Sequence, residues 1–476
     1  MAPRRRQETI ALQFNIFRRR GHALETAITQ PLAEDQAKAD AAEPNASAPA
    51  DGFLTYALQL DAQRQIKGYK FDWRAVSDTA SDCYRFRAVL STVVSNLKSA
   101  KGGWRLGKLV VYLDATAEGL AFKELQALPP ESVVLCLRLA ELADKKLRPR
   151  LEALRAQGFG IMLCNVEALP AAPEPRSPEV AEGADASEEA GATDPFGGLS
   201  LVTHLDVLDG RKELVDIARH LRPPGTPAIH PIATRVAGWT EFDAYAGRRL
   251  DAFVRGREAI AAETGAGGAM HPESVLIIRV MQMIQRNEGV RAIEAALAHD
   301  EALTARLLQH INILAVGHNV EVHSLHHAVG LLGYAALFRW LSLLLATSTK
   351  ASGLAYMTKK AIMRGRFVEL MGQGMLAAEA SDELFLAGMF SLIDRVLGVP
   401  MQEVLAKVHL PEPVQEAIRT RGGVYGPLVA LAESCETDAS EAPALAASIG
   451  LSAEKVNASH LSAIAWALDV NPAKAR

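Results

Sequence analysis

The chain has 476 residues, 49% hydrophobic and 22% charged, with a formal net charge of −4. That length supports more than one hydrophobic core without covalent staples, and the charge excludes a general electrostatic pull toward nucleic acid. Cys83, Cys136, Cys164 and Cys435 are scattered with no CxxC spacing, which excludes a disulfide framework and a structural zinc site and fits a reducing cytoplasm.

The opening "MAPRRRQETIALQF" lacks the apolar run of a secretory signal, because Gln7, Glu8 and Thr9 follow the arginines directly. The "RRR" triplets at 4–6 and 18–20 read as a solvated basic tail. Residues 28–51 are rich in Ala, Pro and acids, so they bury too little surface to offset ordering entropy. Residues 1–51 are therefore expected to be a disordered tail and linker. From 52 to 260, short apolar runs ("FLTYALQL", "KLVVYLDA", "SVVLCLRL", "FGIMLCNV", "SLVTHLDV") are separated by helix-like stretches such as "KKLRPRLEALRAQ" and "GRKELVDIARHL". Strand and helix alternating in this way imply parallel βαβ units, hence an α/β domain that is doubly wound or a barrel. Residues 169–198 interrupt it as a mobile acidic insertion, and the Gly/Ala-rich stretch 261–271 is a linker.

Helical periodicity fills 272–476, most clearly in "RAIEAALAHDEALTARLLQHINILA" and "DELFLAGMFSLIDRVLGVPMQEVLAKV". Residues 326–345, "HHAVGLLGYAALFRWLSLLL", carry Arg339 as their only permanently charged residue. Ser324 is a good N-cap and Gly333 a stop, which divides the run into two helices of about 8 and 14 residues. At 1.5 Å per residue these reach about 12 and 21 Å, short of the roughly 30 Å of bilayer hydrocarbon. The expectation is a soluble helical core without a membrane span. The apolar excess around "FRWLSLLL" is a candidate homo-oligomer face, with an intramolecular core the preferred reading. His326 and His327 are adjacent, so on a helix they point about 100° apart and cannot share an ion.

The segment containing Asp300, Leu303, Leu307, Leu308, Asn312, Ala328 and Gly333, continued by "FLAGMFSLIDRVLGVPMQEVL" at 385–405, resembles the HDOD domain. That family looks related to HD phosphohydrolases, whose adjacent His and Asp hold catalytic metals. Ser391 and Leu392 would occupy the dyad positions here, and a Leu cannot ligate. Asp394 and Arg395 follow and read as part of a polar face.

Residues 52–260 resemble a degenerate EAL domain, the family of cyclic di-GMP phosphodiesterases. The resemblance implies a TIM-like barrel in which carboxylates at strand C-termini hold two divalent cations. "GYEALLR" appears as "GYKFDWR", so Lys70 replaces the metal-binding Glu. "LEITE" appears as "LCLRL", placing Cys136 and Leu139 at its acids, and "ALDDFG" as "MLCNVE", placing Cys164 and Asn165 at two aspartates. In "HPIATRVAGWTEF" the acids become Thr234 and Ala237, and His204 stands for the family's Lys; Asp114 and Asp206 remain. Neutral groups and one cation in place of anionic ligands argue against a two-metal site.

The expected architecture is α/β plus all-α, a degenerate EAL-like barrel followed by an HDOD domain. The expected function is non-catalytic bacterial signal transduction in the cytoplasm, without cofactor or catalytic residue. Its HDOD half would act as a scaffold for cytoplasmic signalling proteins rather than for nucleic acid. The alternatives are a cyclic di-GMP receptor without hydrolysis, for which Arg74 is the candidate phosphate contact or else a surface ion pair, and a residual phosphodiesterase.

Overall fold

The computed structural model describes residues 52–77, 79–99, 103–164, 199–207, 229–234, 236, 238–254, 270–298, 300–315, 324–348 and 355–470. The expected tail and linker of 1–51, the insertion 169–198, residues 261–269, the helix-like 210–221, Asn165 and Ala237 lie outside them.

The first half begins β1 (Gly52–Leu60), β2 (Ile66–Ala75), α1 (Asp82–Leu97), β3 (Val110–Asp114) and β4 (Val133–Arg138). It continues α2 (Leu139–Ala143), α3 (Arg148–Gln157), β5 (Gly160–Cys164), β6 (His204–Asp206), β7 (His230–Ala233), α4 (Trp239–Gly247) and β8 (Asp251–Val254). The eight strands close into a barrel in sequence order. Strands β2 to β8 pair in parallel, but β1 is antiparallel to both β2 and β8, against the all-parallel expectation. The physical reason is the link between β1 and β2: residues 61–65 are too few for a parallel crossover and instead make a hairpin. The apolar run 200–207 likewise supplies only a three-residue strand, its start coiling as a 3₁₀ turn at Leu199–Leu201.

The second half is helical: α5 (Pro272–Gln285), α6 (Val290–Leu297), α7 (Glu301–Ala315), α8 (Leu325–Thr347) and α9 (Ala355–Gly372). These are followed by α10 (Ser381–Phe390), α11 (Ile393–Leu397), α12 (Met401–Lys407) and α13 (Glu412–Thr420). The last are α14 (Gly426–Cys435), α15 (Ala442–Ser448) and α16 (Ala453–Asp469). Pro272 opens α5 where its missing N–H costs nothing, with His271 accepting from the Glu273 amide. Ser324 caps α8 through the His327 N–H at 3.2 Å, and Gly333 breaks the helix with φ 79°, ψ 173°. No helix among the described residues is long and apolar enough to cross a membrane. Leu337, Phe338, Leu341, Leu343, Leu344 and Leu345 are buried within this single chain.

The two stretches of clearest helical periodicity are each divided into shorter helices. Asp300 ends the first, its carboxylate accepting the Leu303 N–H at 2.9 Å as an N-cap for α7. The second splits where Gly398 adopts φ 69° and Pro400 starts α12.

The barrel interior is filled by Ala57, Tyr112, Val134, Cys136, Met162, Cys164, Ile232 and Phe253. A second hydrophobic cluster runs continuously from the outer barrel face into the helices. Strand β1 is buried along its whole length because its outer face is covered by α16. There Asn457 accepts the Leu54 N–H at 2.8 Å and donates to the Gly52 carbonyl at 2.9 Å. Replacing Asn457 by alanine strands both buried backbone groups and is expected to lower unfolding free energy by about 2 kcal/mol in urea titration. A loss below about 0.5 kcal/mol would mean water replaces the amide.

Candidate functional site

Side chains two apart on a strand share a face, so Tyr112 and Asp114 on β3, Cys136 on β4, and Met162 and Cys164 on β5 point inward together. Asp114 and Cys164 end their strands at the C-terminal mouth of the barrel. Ligand atoms of Asp114, Cys136 and Cys164 all lie within 4.8 Å of one another. Lys70, inward on β2, places Nζ 2.8 Å from the Asp114 carboxylate. Burial works against that ammonium, yet the facing Cys136, Asp114 and Cys164 raise its pKa. The Cys136 thiol is pushed up, first by its hydrogen bond with Cys164 and then by burial. Lys70, Cys136 and Cys164 thus converge as the sequence places them. The donor set offers a held ammonium, two buried sulfurs and one carboxylate already paired, which does not fit two divalent cations.

The remaining positions are dispersed. Leu139 is half-buried at the start of α2, packed against the hydrophobic cluster. Thr234 donates to buried Asp206 at 2.5 Å. His204 lies inside the barrel, edge-on to Tyr112, its pKa lowered to about 4 by burial, with His230 and Arg155 adding to the effect. Arg74 is exposed, near Asp438 on the loop after α14, whose pKa is lowered first by hydrogen bonds from Ser440 and last by the Arg74 charge.

In the helical half Ser391 and Leu392 occupy the turn between α10 and α11, Leu392 being buried. The Ser391 hydroxyl donates to the Gly388 carbonyl at 2.6 Å and accepts from Arg364 at 2.8 Å. Arg364 forks onto Glu436 at 2.9 and 2.7 Å and reaches Glu433 at 2.8 Å. Lys360 adds a contact to Glu436 at 3.2 Å, and Arg421 grips Glu433 at 2.7 and 2.8 Å. Burial opposes the Glu436 charge, but Arg364 and Lys360 outweigh it and hold its pKa at about 2. A second network joins Arg339 to Glu369 at 2.8 and 2.9 Å and to Asp382 at 2.9 Å, with Arg366 on Glu369 at 2.9 Å. His326 and His327 are exposed on α8 and take no part.

Sequence reasoning missed both networks. The residues involved stand in "KKAIMRGRFVELM": Lys360, Arg364 and Arg366 lie in an α9 that is buried from Lys360 to Gly372, so their charges have no solvent side to occupy.

Residues 271–412 match the HDOD domain family. They are an HDOD domain. Ahead of it lies the closed eight-stranded barrel. Over 202 residues the chain is 26% identical to the cyclic di-GMP phosphodiesterase CdgJ of Vibrio cholerae, covering 42% of this chain and 47% of that protein. Over 160 residues it is 21% identical to the uncharacterized protein YuxH of Bacillus subtilis, covering 33% and 39%. The chain spans less than half the length of these curated relatives. Among solved structures, Klebsiella pneumoniae BlrP1 in its calcium and cyclic-diGMP complex aligns at 15% identity and TM-score 0.28, covering 44% of this chain and 56% of that one. The HDOD turn thus carries an ionic network around Ser391, and the barrel mouth carries Lys70.

Proposed function

We propose that this chain is a non-catalytic signal-transduction protein of cyclic di-GMP signalling. In this reading the HDOD half is a scaffold for cytoplasmic signalling proteins, and the degenerate EAL-like barrel, reaching it through β1, regulates it. The observation that carries the proposal is the Lys70 ammonium, 2.8 Å from the Asp114 carboxylate at the barrel mouth. A tethered cation there repels a divalent ion and holds the carboxylate that would ligate it. The resemblance to CdgJ supports placement in cyclic di-GMP signalling and favours one second reading, a receptor that binds the dinucleotide without hydrolysing it.

Calorimetric titration of the full chain with cyclic di-GMP in Mg²⁺ or Mn²⁺, followed by chromatography of the nucleotide, separates these readings. The expected result is intact nucleotide in both metals, with no saturable heat if the chain is a scaffold alone. Saturable heat without turnover selects the receptor. Metal-dependent turnover would overturn the non-catalytic reading, because it would require Lys70 to leave the mouth.

A further inference from the structure

The proposed function leaves a large cavity in the HDOD half unused. Its volume is about 760 Å³, inside the range of small-molecule sites. It opens between α9, the α10–α11 turn, α12 and the facing ends of α13 and α14. Lys360, Arg364, Arg395, Arg419 and Arg421 line it, against only three carboxylates, Asp394, Glu433 and Glu436. Glu436 is taken by Arg364 and Lys360, and Glu433 by Arg364 and Arg421. Arg395 and Arg419 make no side-chain hydrogen bond or ion pair among the described residues. Burial raises the pKa of the Asp394 carboxyl against a hydrogen bond from the Arg395 backbone and the charge of its guanidinium, and the carboxyl Oδ1 is buried without a hydrogen-bond partner. Two guanidinium groups therefore face the cavity with their forks open.

Met401, Leu405 and Ile418 supply the apolar part of the wall. An occupant must then combine about two negative charges, several acceptor oxygens and an apolar or ring portion. A phosphate monoester satisfies all three, carrying a charge of about −1.5 to −2 and three terminal oxygens, and planar guanidinium forks match its geometry. We propose that this cavity binds a phosphorylated small molecule, with its phosphate on Arg395 and Arg419 and its apolar portion on Met401, Leu405 and Ile418. The ion pairs of Arg364 and Arg421 hold the floor in place, so the two open arginines face the ligand from a fixed frame.

The test uses the full chain and pyrophosphate as probe, followed by calorimetry at low ionic strength. Saturable binding is expected in the wild type, with at least a tenfold loss of affinity in R395Q/R419Q. That double variant should fold, since neither side chain has a partner to lose. Citrate serves as the carboxylate control and is expected to bind more weakly than pyrophosphate. A variant-independent measurement accompanies these: pyrophosphate should slow phenylglyoxal modification of Arg395 and Arg419, read by mass spectrometry of the wild-type chain. No saturable binding, affinity unchanged in the double variant, unprotected arginines, or citrate binding more tightly than pyrophosphate would each overturn the proposal. None of these outcomes depends on the barrel mouth, so failure here is distinct from failure of the non-catalytic reading.

Discussion

Replacing Glu436 by alanine is expected to destabilise the fold by about 3–5 kcal/mol, the cost of leaving buried cations without their counter-ion. Glu436 is 2% exposed and is the meeting point of Arg364 and Lys360, themselves 4% and 5% exposed. Arg364 would keep Glu433 and Ser391, but Lys360 would face Arg364 with no compensating charge. Burial already lowers the pKa of Lys360, so in the variant that amine is expected to shed its proton. The charge origin of the loss can be checked by pH. The Glu436 carboxyl is held at about 2 in the folded chain, below its ordinary 4.5, so its stabilisation is complete above pH 4.5 and is lost as pH falls toward 2. Urea unfolding of wild type and variant should give a gap that narrows from pH 4.5 to pH 3. A gap unchanged at pH 3 would assign the loss to packing instead. Converting the whole cluster to apolar residues should cost less than this single removal, since no orphan charge is left behind.

The barrel strands with continuous apolar runs were legible in the sequence because burial on both faces leaves a run that needs no partner to be recognised. Strand β2 was visible only as a motif, since Lys70, Asp72 and Arg74 alternate along it and resemble a surface segment. The convergence of Lys70, Cys136 and Cys164 was anticipated through the family resemblance, whereas the pairing of Lys70 with Asp114 needed the barrel to close. Helix boundaries at Asp300 and Gly398 were missed for a different reason. Hydrophobic periodicity persists across a short break when the pieces pack on the same core, so the pattern alone does not show where one helix ends and the next begins. The networks around Glu436 and Glu369 join residues 72 and 30 positions apart. No local rule reads a pairing at that distance, and the charges of α9 find their partners only once the helix is buried.

The chain is also expected to lose stability steeply between pH 6.5 and 4, and His460 is expected to carry a separable share of that loss. His460 is fully buried, stacked on Phe367 at 4.4 Å and tilted against Tyr56 at 5.3 Å. Neither ring nitrogen reaches hydrogen-bond geometry among the described residues. Burial lowers its pKa to about 4, despite the pull of Glu436 and the Leu54 backbone toward the charged form. His204 is likewise held at about 4. A histidine whose folded pKa lies below its unfolded 6.5 binds more protons when unfolded, so each contributes stability that is full above pH 6.5 and falls as pH drops to 4. At 1.36 kcal/mol per unit, each is worth about 3 kcal/mol across that window. His460→Phe keeps the aromatic stack and removes the proton, so it should be neutral or stabilising at pH 7 and more stable than wild type by about 2 kcal/mol at pH 5. Parallel unfolding curves for the two proteins from pH 7 to pH 5 would show that His460 binds protons equally in the folded and unfolded chain. The location sharpens the test, because Asn457 lies one turn away on the same helix with its polar groups satisfied by β1. Asn457→Ala should lower stability by the same amount at pH 7 and pH 5, while the effect of His460→Phe should grow on acidification, so the two variants separate contact from proton at one joint between barrel and helices.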